Sequence, residues 1–209
     1  MVIIDLHVHT WPKSQCSQIE PAELVLKAKE IGLDGFCLTE HQVLWDLEEV
    51  KALAADHGVR IFRGNEITTA QGDILVFGLE KDIQGVVTAR ALWKDVEEAG
   101  AFAIAAHPFR GFKTFGVGQL EMNLDQAAAK KVFKYVHAIE VRNGKVSDND
   151  NALAEQVAEK LGKPGTGGSD AHLIQDLGVH VTIFEKNIED DAQLLAELHA
   201  GRFKAGALP

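Results

Sequence analysis

The chain has 209 residues, of which 46% are hydrophobic, and its formal net charge is −10. This length suits one domain with a substantial core, and the acidic balance argues against an extended nucleic-acid surface, which would be basic. Two cysteines, Cys16 and Cys37, provide no disulfide framework and suit a reducing compartment. Because no leader pattern and no apolar run of about 18 residues is present, we expect a single cytoplasmic domain over residues 1–209 that has no contact with a membrane.

The first ten residues predict a buried strand that ends in polar side chains. Asp5, His7 and His9 are spaced two apart. Strand side chains alternate with a period of two, so we expect these three groups on one face. Two imidazoles beside a carboxylate are typical of a metal site.

Strands and helices alternate along the rest of the chain. Predicted helices cover residues 21–31, 46–57, 89–99, 124–135, 149–161 and 189–200. Predicted strands cover residues 35–41, 59–66, 72–79, 101–108, 138–144 and 165–172, with a further strand at 179–184. The alternation predicts a parallel sheet, and about seven units with polar strand ends predict a barrel whose site lies at the C-terminal face of the strands. An open doubly wound sheet is the alternative.

The predicted strand ends carry most of the residues that could bind metal. Five of the nine histidines lie there together with acidic residues, and the set is His7, His9, Glu40, His41, Glu66, His107, Glu140, Asp170 and His172. A single histidine at a strand end is more often a hydrogen-bonding residue than a ligand, but a barrel would bring the whole set to one mouth. Imidazole and carboxylate together suit Zn, Mn or Fe, and a shared carboxylate commonly joins two ions.

Five motifs resemble, in order, those of the PHP (polymerase and histidinol phosphatase) superfamily. They are Asp5-Leu6-His7-Val8-His9-Thr10, Thr39-Glu40-His41, Gly64-Asn65-Glu66, His107-Pro108 and Gly168-Ser169-Asp170-Ala171-His172. The resemblance runs from residue 2 to about residue 185. It implies a distorted (β/α)7 barrel of the PHP type, up to three divalent metal ions at its mouth, and phosphoester hydrolysis.

The resemblance also implies which residues bind each ion. One ion would be bound by His7, His9, Glu66 and Asp170, a second by Glu66 and His107, and a third by His41 and His172. Asp5 would orient a histidine ligand or a loop rather than bind an ion. The sequence departs from the family pattern at two of the expected ligand positions, so we expect one to three ions without predicting a complete three-metal centre. A third departure is Glu40, which stands where an aspartate is usual.

The two missing ligands belong to different segments. The loop after His9 has Ser14-Gln15-Cys16-Ser17 where a further ligand is usual, so Cys16 is either a thiolate ligand or a small loop residue. The strand at 72–79 lacks the usual histidine, and Asp73 lies too early in it to be expected as a ligand.

The predicted activity is hydrolysis of a small phosphomonoester or a short nucleotide by a metal-activated water. His41 or His172 would protonate the leaving oxygen, and Asp170 would act with them in catalysis. Contacts to the substrate are expected from residues near strand ends, namely Arg110, Arg142 and Asn143. A surface role is the alternative for Arg142, and a solvated charge is the expectation for Lys13 and Lys113.

Two other functions stay open. A similar barrel could hydrolyse an amide or a cyclic ester, which would not require arginines that bind phosphate. A barrel that lacks two ligands could instead be a metal-binding regulatory or scaffold module without catalysis. Less than one tightly bound ion per chain, together with no hydrolysis, would indicate the module.

Overall fold

The computed structural model describes residues 1–55, 58–110 and 122–208, and within these ranges nine strands form one sheet. The strands are β1 (Val2–Val8), β2 (Gly35–His41), β3 (Arg60–Thr69), β4 (Gly72–Phe77), β5 (Phe102–Ala105), β6 (Ala138–Asn143), β7 (Gly165–Gly168), β8 (Val181–Phe184) and β9 (Phe203–Gly206). Their order in the sheet is β7-β6-β5-β4-β3-β2-β1-β8-β9.

Six α-helices accompany the strands in this part of the chain. They are α1 (Pro21–Ile31), α2 (Leu47–Ala54), α3 (Ala89–Ala99), α4 (Leu124–Ala128), α5 (Asp148–Leu161) and α6 (Asp191–Ala200). The helix predicted over 124–135 is instead α4 followed by a 3₁₀ helix, Lys131–Tyr135. The helix predicted over 46–57 begins after Asp46, whose side chain accepts bonds from two backbone N–H groups of the first turn. Residues 56 and 57 lie outside the described ranges.

The sheet is nearly closed into a barrel because the segment after β7 returns to the end of β1. Asp170 N donates to His7 O at 2.7 Å, and His9 N donates to Ala171 O at 3.1 Å. The predicted α/β barrel is confirmed in this coarser form. A count of seven regular strand–helix units is not, since the sheet has nine strands within the described residues.

β3 and β4 form a hairpin, which makes the all-parallel sheet a wrong prediction. β4 runs antiparallel to both neighbours, with Thr68 opposite Asp73 and Ile74 opposite Ala105. Only Ala70 and Gln71 separate the two strands. A parallel crossover needs a dozen or more residues, so the connection can only be a hairpin. The start of β4 therefore lies at the same end of the barrel as the ends of β3 and β5.

The last two strands also run antiparallel. β8 pairs with β1, where Phe184 lies opposite Val2, and β9 pairs with β8, where Phe203 lies opposite Phe184. The sequence analysis missed β9, which is short and only partly buried. These strands extend the sheet beyond β1, at the edge where the barrel closes.

The barrel interior below the mouth is apolar. Ile4, Leu6, Phe62, Phe77 and Phe184 belong to one fully buried cluster, and α6 packs against the same cluster through its leucines. Each such side chain contributes about 1.5–3 kcal/mol by its burial. The polar mouth therefore lies directly above a fully buried apolar cluster. No helix among the described residues is long and apolar enough to span a bilayer.

Candidate metal centre

His7 near the end of β1 and His9 just after it lie at the barrel mouth, whereas Asp5 does not. A register shift between Asp5 and Val8 interrupts the alternation of the strand. Asp5 instead accepts bonds from Ser169 N at 2.9 Å and Gly178 N at 3.0 Å. Burial raises the pKa of Asp5 to about 6, although these N–H donors lower it. Asp5 therefore does not share the face of His7 and His9. It fixes the loop that carries Asp170, which agrees with the supporting role that the family resemblance implies for it.

Four side chains from three parts of the chain converge beside the end of β1. The ligand atoms are His7 Nε2, His9 Nε2, Glu66 Oε2 and Asp170 Oδ1. The two histidine nitrogens lie 3.1 Å apart, and each lies 3.2 to 3.6 Å from the two carboxylate oxygens. Ligands that lie about 2.0–2.1 Å from a tetrahedral ion are about 3.3 Å from one another. These four atoms therefore match the first ligand set predicted from the sequence and fit one divalent ion.

Two buried carboxylate oxygens in this group have no hydrogen-bond partner within the described part of the chain. They are Glu66 Oε2 and Asp170 Oδ1. A buried, unpaired carboxylate oxygen is strongly disfavoured unless a cation or a donor compensates it. A divalent ion would compensate both oxygens at once, so the donor set fits the metal that the sequence implies.

A second group of ligand atoms lies on the other side of Glu66. It consists of Glu66, Asp73 and His107, whose ligand atoms all lie within 4.8 Å of one another. His107 Nε2 lies 2.8 Å from Glu66 Oε1, the oxygen that the first group does not use. Asp73 was not expected as a ligand because it comes early in its strand, but the structure brings its carboxylate to Glu66 and His107. In the antiparallel β4, the beginning of the strand lies at the mouth.

A third group is less complete. It contains His9, His41 and His172, and His9 already belongs to the first group. His41 Nδ1 lies 3.1 Å from Glu66 Oε2, and His172 Nδ1 donates to the Asp170 carbonyl at 2.8 Å. The side chains of His41 and His172 are 42% and 22% exposed, so both face the entrance.

The loop after His9 supports a ligand without adding one in the described groups. Ser14 Oγ lies 3.3 Å from His9 Nδ1 and donates to Glu40. Glu40 also accepts a bond from Trp45 Nε1 at 2.9 Å. Cys16 is exposed and belongs to none of the ligand groups. Partial removal of its thiol from water, together with nearby carboxylates, raises the pKa of Cys16, which disfavours a thiolate. The structure thus favours the small-loop-residue interpretation.

Glu140 orients two of the histidines. Its Oε1 accepts a bond from His7 Nδ1 at 3.0 Å, and its Oε2 accepts one from His107 N at 2.7 Å. The first bond leaves His7 Nε2 free to face the ligand group. Burial lowers the pKa of His7, but Glu140 and Glu66 outweigh it and raise the value to about 10. The negative charges of Glu140 and Glu66 therefore favour a cation at the mouth.

The predicted substrate-contacting residues have different surroundings. Arg110 pairs with Asp170 Oδ2 and therefore faces the ligand group. Arg142 pairs with Glu155 of α5 at 2.8 Å and is not brought to the group, which favours its surface role. Asn143 is buried and donates to Glu140 at 2.9 Å and to Asp170 at 3.4 Å. It supports ligands rather than offering its amide to a substrate.

Of the two lysines named in the sequence analysis, the structure describes one, which lies away from the ligand groups. Lys13 pairs with the exposed Glu49 at 2.8 Å and lies over the Trp45 ring. Lys113 lies outside the described residues. Asp73 is thus the ligand candidate that sequence reasoning missed, and the short connection before β4 was the signal that could have found it.

Comparison with known proteins assigns the family. The model of the PHP-associated family PHP_C matches residues 148–203, which include Asp170 and His172. The uncharacterized protein MJ1587 of Methanocaldococcus jannaschii is 30% identical over 165 residues, which are 74% of this chain and 91% of that protein. The chain belongs to the PHP superfamily. This confirms the resemblance that the five motifs predicted.

Two further proteins extend the comparison. A probable phosphatase of Vibrio campbellii is 27% identical over 201 residues, which cover 84% of this chain and 79% of that protein. A two-domain protein of Bacteroides vulgatus that contains a predicted PHP-like metal-dependent phosphoesterase has a TM-score of 0.70 at 20% identity. The superposition covers 99% of this PHP chain and 65% of that protein. This second likeness concerns the fold.

Proposed function

We propose that the chain is a metal-dependent phosphoesterase that hydrolyses a small phosphomonoester or a short nucleotide. The observation that carries the proposal is Glu66, whose two oxygens belong to two adjoining ligand groups. A carboxylate placed between two ions is typical of two-metal enzymes that cleave phosphate esters. The descriptions of the Vibrio and Bacteroides proteins support the same chemistry.

Two ions are proposed, and Glu66 would belong to both ligand sets. The first would be held by His7, His9, Glu66 and Asp170, and the second by Glu66, Asp73 and His107. Mixed imidazole and carboxylate ligands suit Zn, Mn or Fe. Such ions supply Lewis acidity, which activates water and offsets charge on phosphoryl oxygens.

Other residues at the mouth would act on the substrate. Arg110 has a planar guanidinium that is 39% exposed and already faces a carboxylate of the centre, so we assign it to the phosphoryl oxygens. His41 and His172 lie at the entrance, where either could donate a proton to the leaving oxygen. Arg142 has no part in this proposal because Glu155 holds it on the outer surface.

The test uses the purified chain loaded with Mn or Zn and a panel of phosphomonoesters and short nucleotides. We expect turnover by the wild-type protein, loss of at least about a hundredfold in kcat/KM for His9→Ala, and no loss for His180→Ala, which lies outside the ligand groups. Amides and cyclic esters belong on the same panel. Turnover of those compounds alone, or wild-type activity in His9→Ala, would refute the proposal.

A further inference from the structure

A small cavity adjoins the second ligand group. It has a volume of about 170 Å³, and its lining includes Gln71, Asp73, His107, Pro108, Arg110 and Lys130. Pockets for drug-sized ligands are about 300–1,000 Å³, so this cavity is too small for a whole nucleotide. Its volume matches about five water molecules or one charged substituent. The cavity therefore suits a part of a substrate rather than the whole of it.

Lys130 lines this cavity with a positively charged side chain that is partly removed from water. Its Nζ donates to the Pro108 carbonyl and lies 5.0 Å from the centre of the Phe109 ring. The side chain is partly buried, and removal from water lowers the pKa of Lys130. An ammonium group has three donors, and the described contacts use one of them. No described carboxylate lies within ion-pair distance of it.

Arg110 connects the cavity with the metal centre. It lines the cavity, and its guanidinium also pairs with Asp170 of the first ligand group. His107 and Asp73 belong both to the cavity wall and to the second ligand group. A molecule whose phosphoryl group lies at the ligand groups could therefore extend a second group toward Lys130.

We propose that this cavity binds a second oxyanion of the substrate, a carboxylate or a further phosphate, with Lys130 as its counter-ion. This inference rests on the proposed function, and it narrows the substrate to compounds with a second negative charge near the phosphoryl group that is cleaved. A desolvated ammonium group is stabilised most by an anion, which would use its free donors and restore the lost solvation.

The test measures binding apart from turnover. The probes are alkyl phosphonates of one chain length that end in a hydroxyl, a carboxylate or a second phosphonate, because their C–P bond resists hydrolysis. Dissociation constants are measured by calorimetry on the metal-loaded chain. The variants are Lys130→Met, which keeps the aliphatic stem, Lys130→Arg, which keeps the charge, and the matched control Lys131→Met, whose side chain is exposed.

In the wild-type protein we expect the carboxylate or the bisphosphonate probe to bind about tenfold or more tightly than the hydroxyl probe. The stronger of the two identifies the oxyanion. Lys130→Met should remove this difference without changing the hydroxyl probe, whereas Lys130→Arg and Lys131→Met should keep it. Equal binding of all three probes to the wild type, or an equal loss for all three in Lys130→Met, would overturn the inference.

Parallel assays with the matching phosphate monoesters separate this inference from the proposed function. Hydrolysis of all the esters without any difference in binding overturns the oxyanion site and leaves the phosphoesterase intact. A Lys130-dependent difference in binding without hydrolysis of any ester overturns the phosphoesterase and leaves the site intact.

Discussion

Glu66 belongs to both the first and the second ligand group, so neither group is complete without this side chain. It is 1% exposed, it contacts His9 through one oxygen and His107 through the other, and its pKa lies well below the usual value. Burial on its own would raise that pKa, and the surrounding histidines outweigh burial. The residue therefore stays ionised, as a ligand must be.

We expect Glu66→Gln to lose both ions, because an amide oxygen is a weak ligand for either of them. The measurement is metal content per chain after gel filtration, with circular dichroism to verify folding. Glu155→Gln, on the outer surface, is the matched control. Full metal content in Glu66→Gln would show that the two groups do not depend on a shared carboxylate.

Gly168 is required by the close approach of β7 to β1. A Cβ at this position would lie 2.5 Å from His7 Cβ and 2.8 Å from Glu140 Oε1. We expect Gly168→Ala to displace the His7 ring, to lower metal affinity and to destabilise the fold by about 1–3 kcal/mol. Metal titration and urea unfolding measure the two effects. Unchanged values for both would mean that the strands separate freely at this point.

Sequence alone predicted which histidines the structure brings together, because their residue type and their position at strand ends agree. Spacing alone placed Asp5 on the face of the histidines, because the bulge in β1 is a backbone irregularity that leaves no mark in the spacing, whereas the family resemblance implied its supporting role. The sequence also left Arg142 undecided, since a partner such as Glu155 comes from a different element. Lys130 carried no signal at all, because its burial depends on contacts with Pro108 and Phe109, which are distant from it in the sequence.

At the scale of elements, the hairpin between β3 and β4 determines which acidic residue reaches the mouth. The motif order predicted the barrel, and helix limits such as the glycine after α5 were readable from the sequence. The direction of β4 was predicted wrongly, because the strand–helix alternation was assumed to continue between β3 and β4, which no helix separates. A two-residue connection carries that information.

We expect Asp73→Asn to reduce the metal content from two ions per chain to one. The second group would keep only Glu66 and His107, whereas the first group retains all four ligands. Elemental analysis measures the stoichiometry, and Asp125→Asn, on an exposed helix, is the control. If both ions remain in Asp73→Asn, the second ion does not depend on the start of β4.

At the scale of the whole molecule, the end of the barrel opposite the mouth has its own titratable group. His137 stacks on Phe102 with ring centres 4.7 Å apart and accepts a bond from Ala103 N at 3.1 Å. Burial, His199 and Lys163 lower its pKa from 6.5 to about 4. Between these values the unfolded chain binds the proton and the folded chain does not, so stability falls as the pH is lowered.

We expect His137 to remove about 1–2 kcal/mol of unfolding free energy as the pH falls from 6.5 to 4, a figure reduced because the ring is only half-buried. Urea unfolding at several pH values measures it. His137→Asn retains an acceptor for Ala103 N but cannot titrate, so its stability should depend less on pH in this range. Identical pH profiles for the two proteins would contradict the expectation.

The first ligand group lies where the barrel closes, so an ion bound there would affect the stability of the closure. The first ligand group takes its histidines from the first strand and its aspartate from the loop after β7, on the two sides of the line where the sheet meets itself. An ion bound there would cross-link the first strand to the loop after β7, as a disulfide links two segments of a secreted protein. Removal of the ion by a chelator should therefore weaken the contact between β1 and the segment after β7. Amide hydrogen exchange should then accelerate first in β1 and β7.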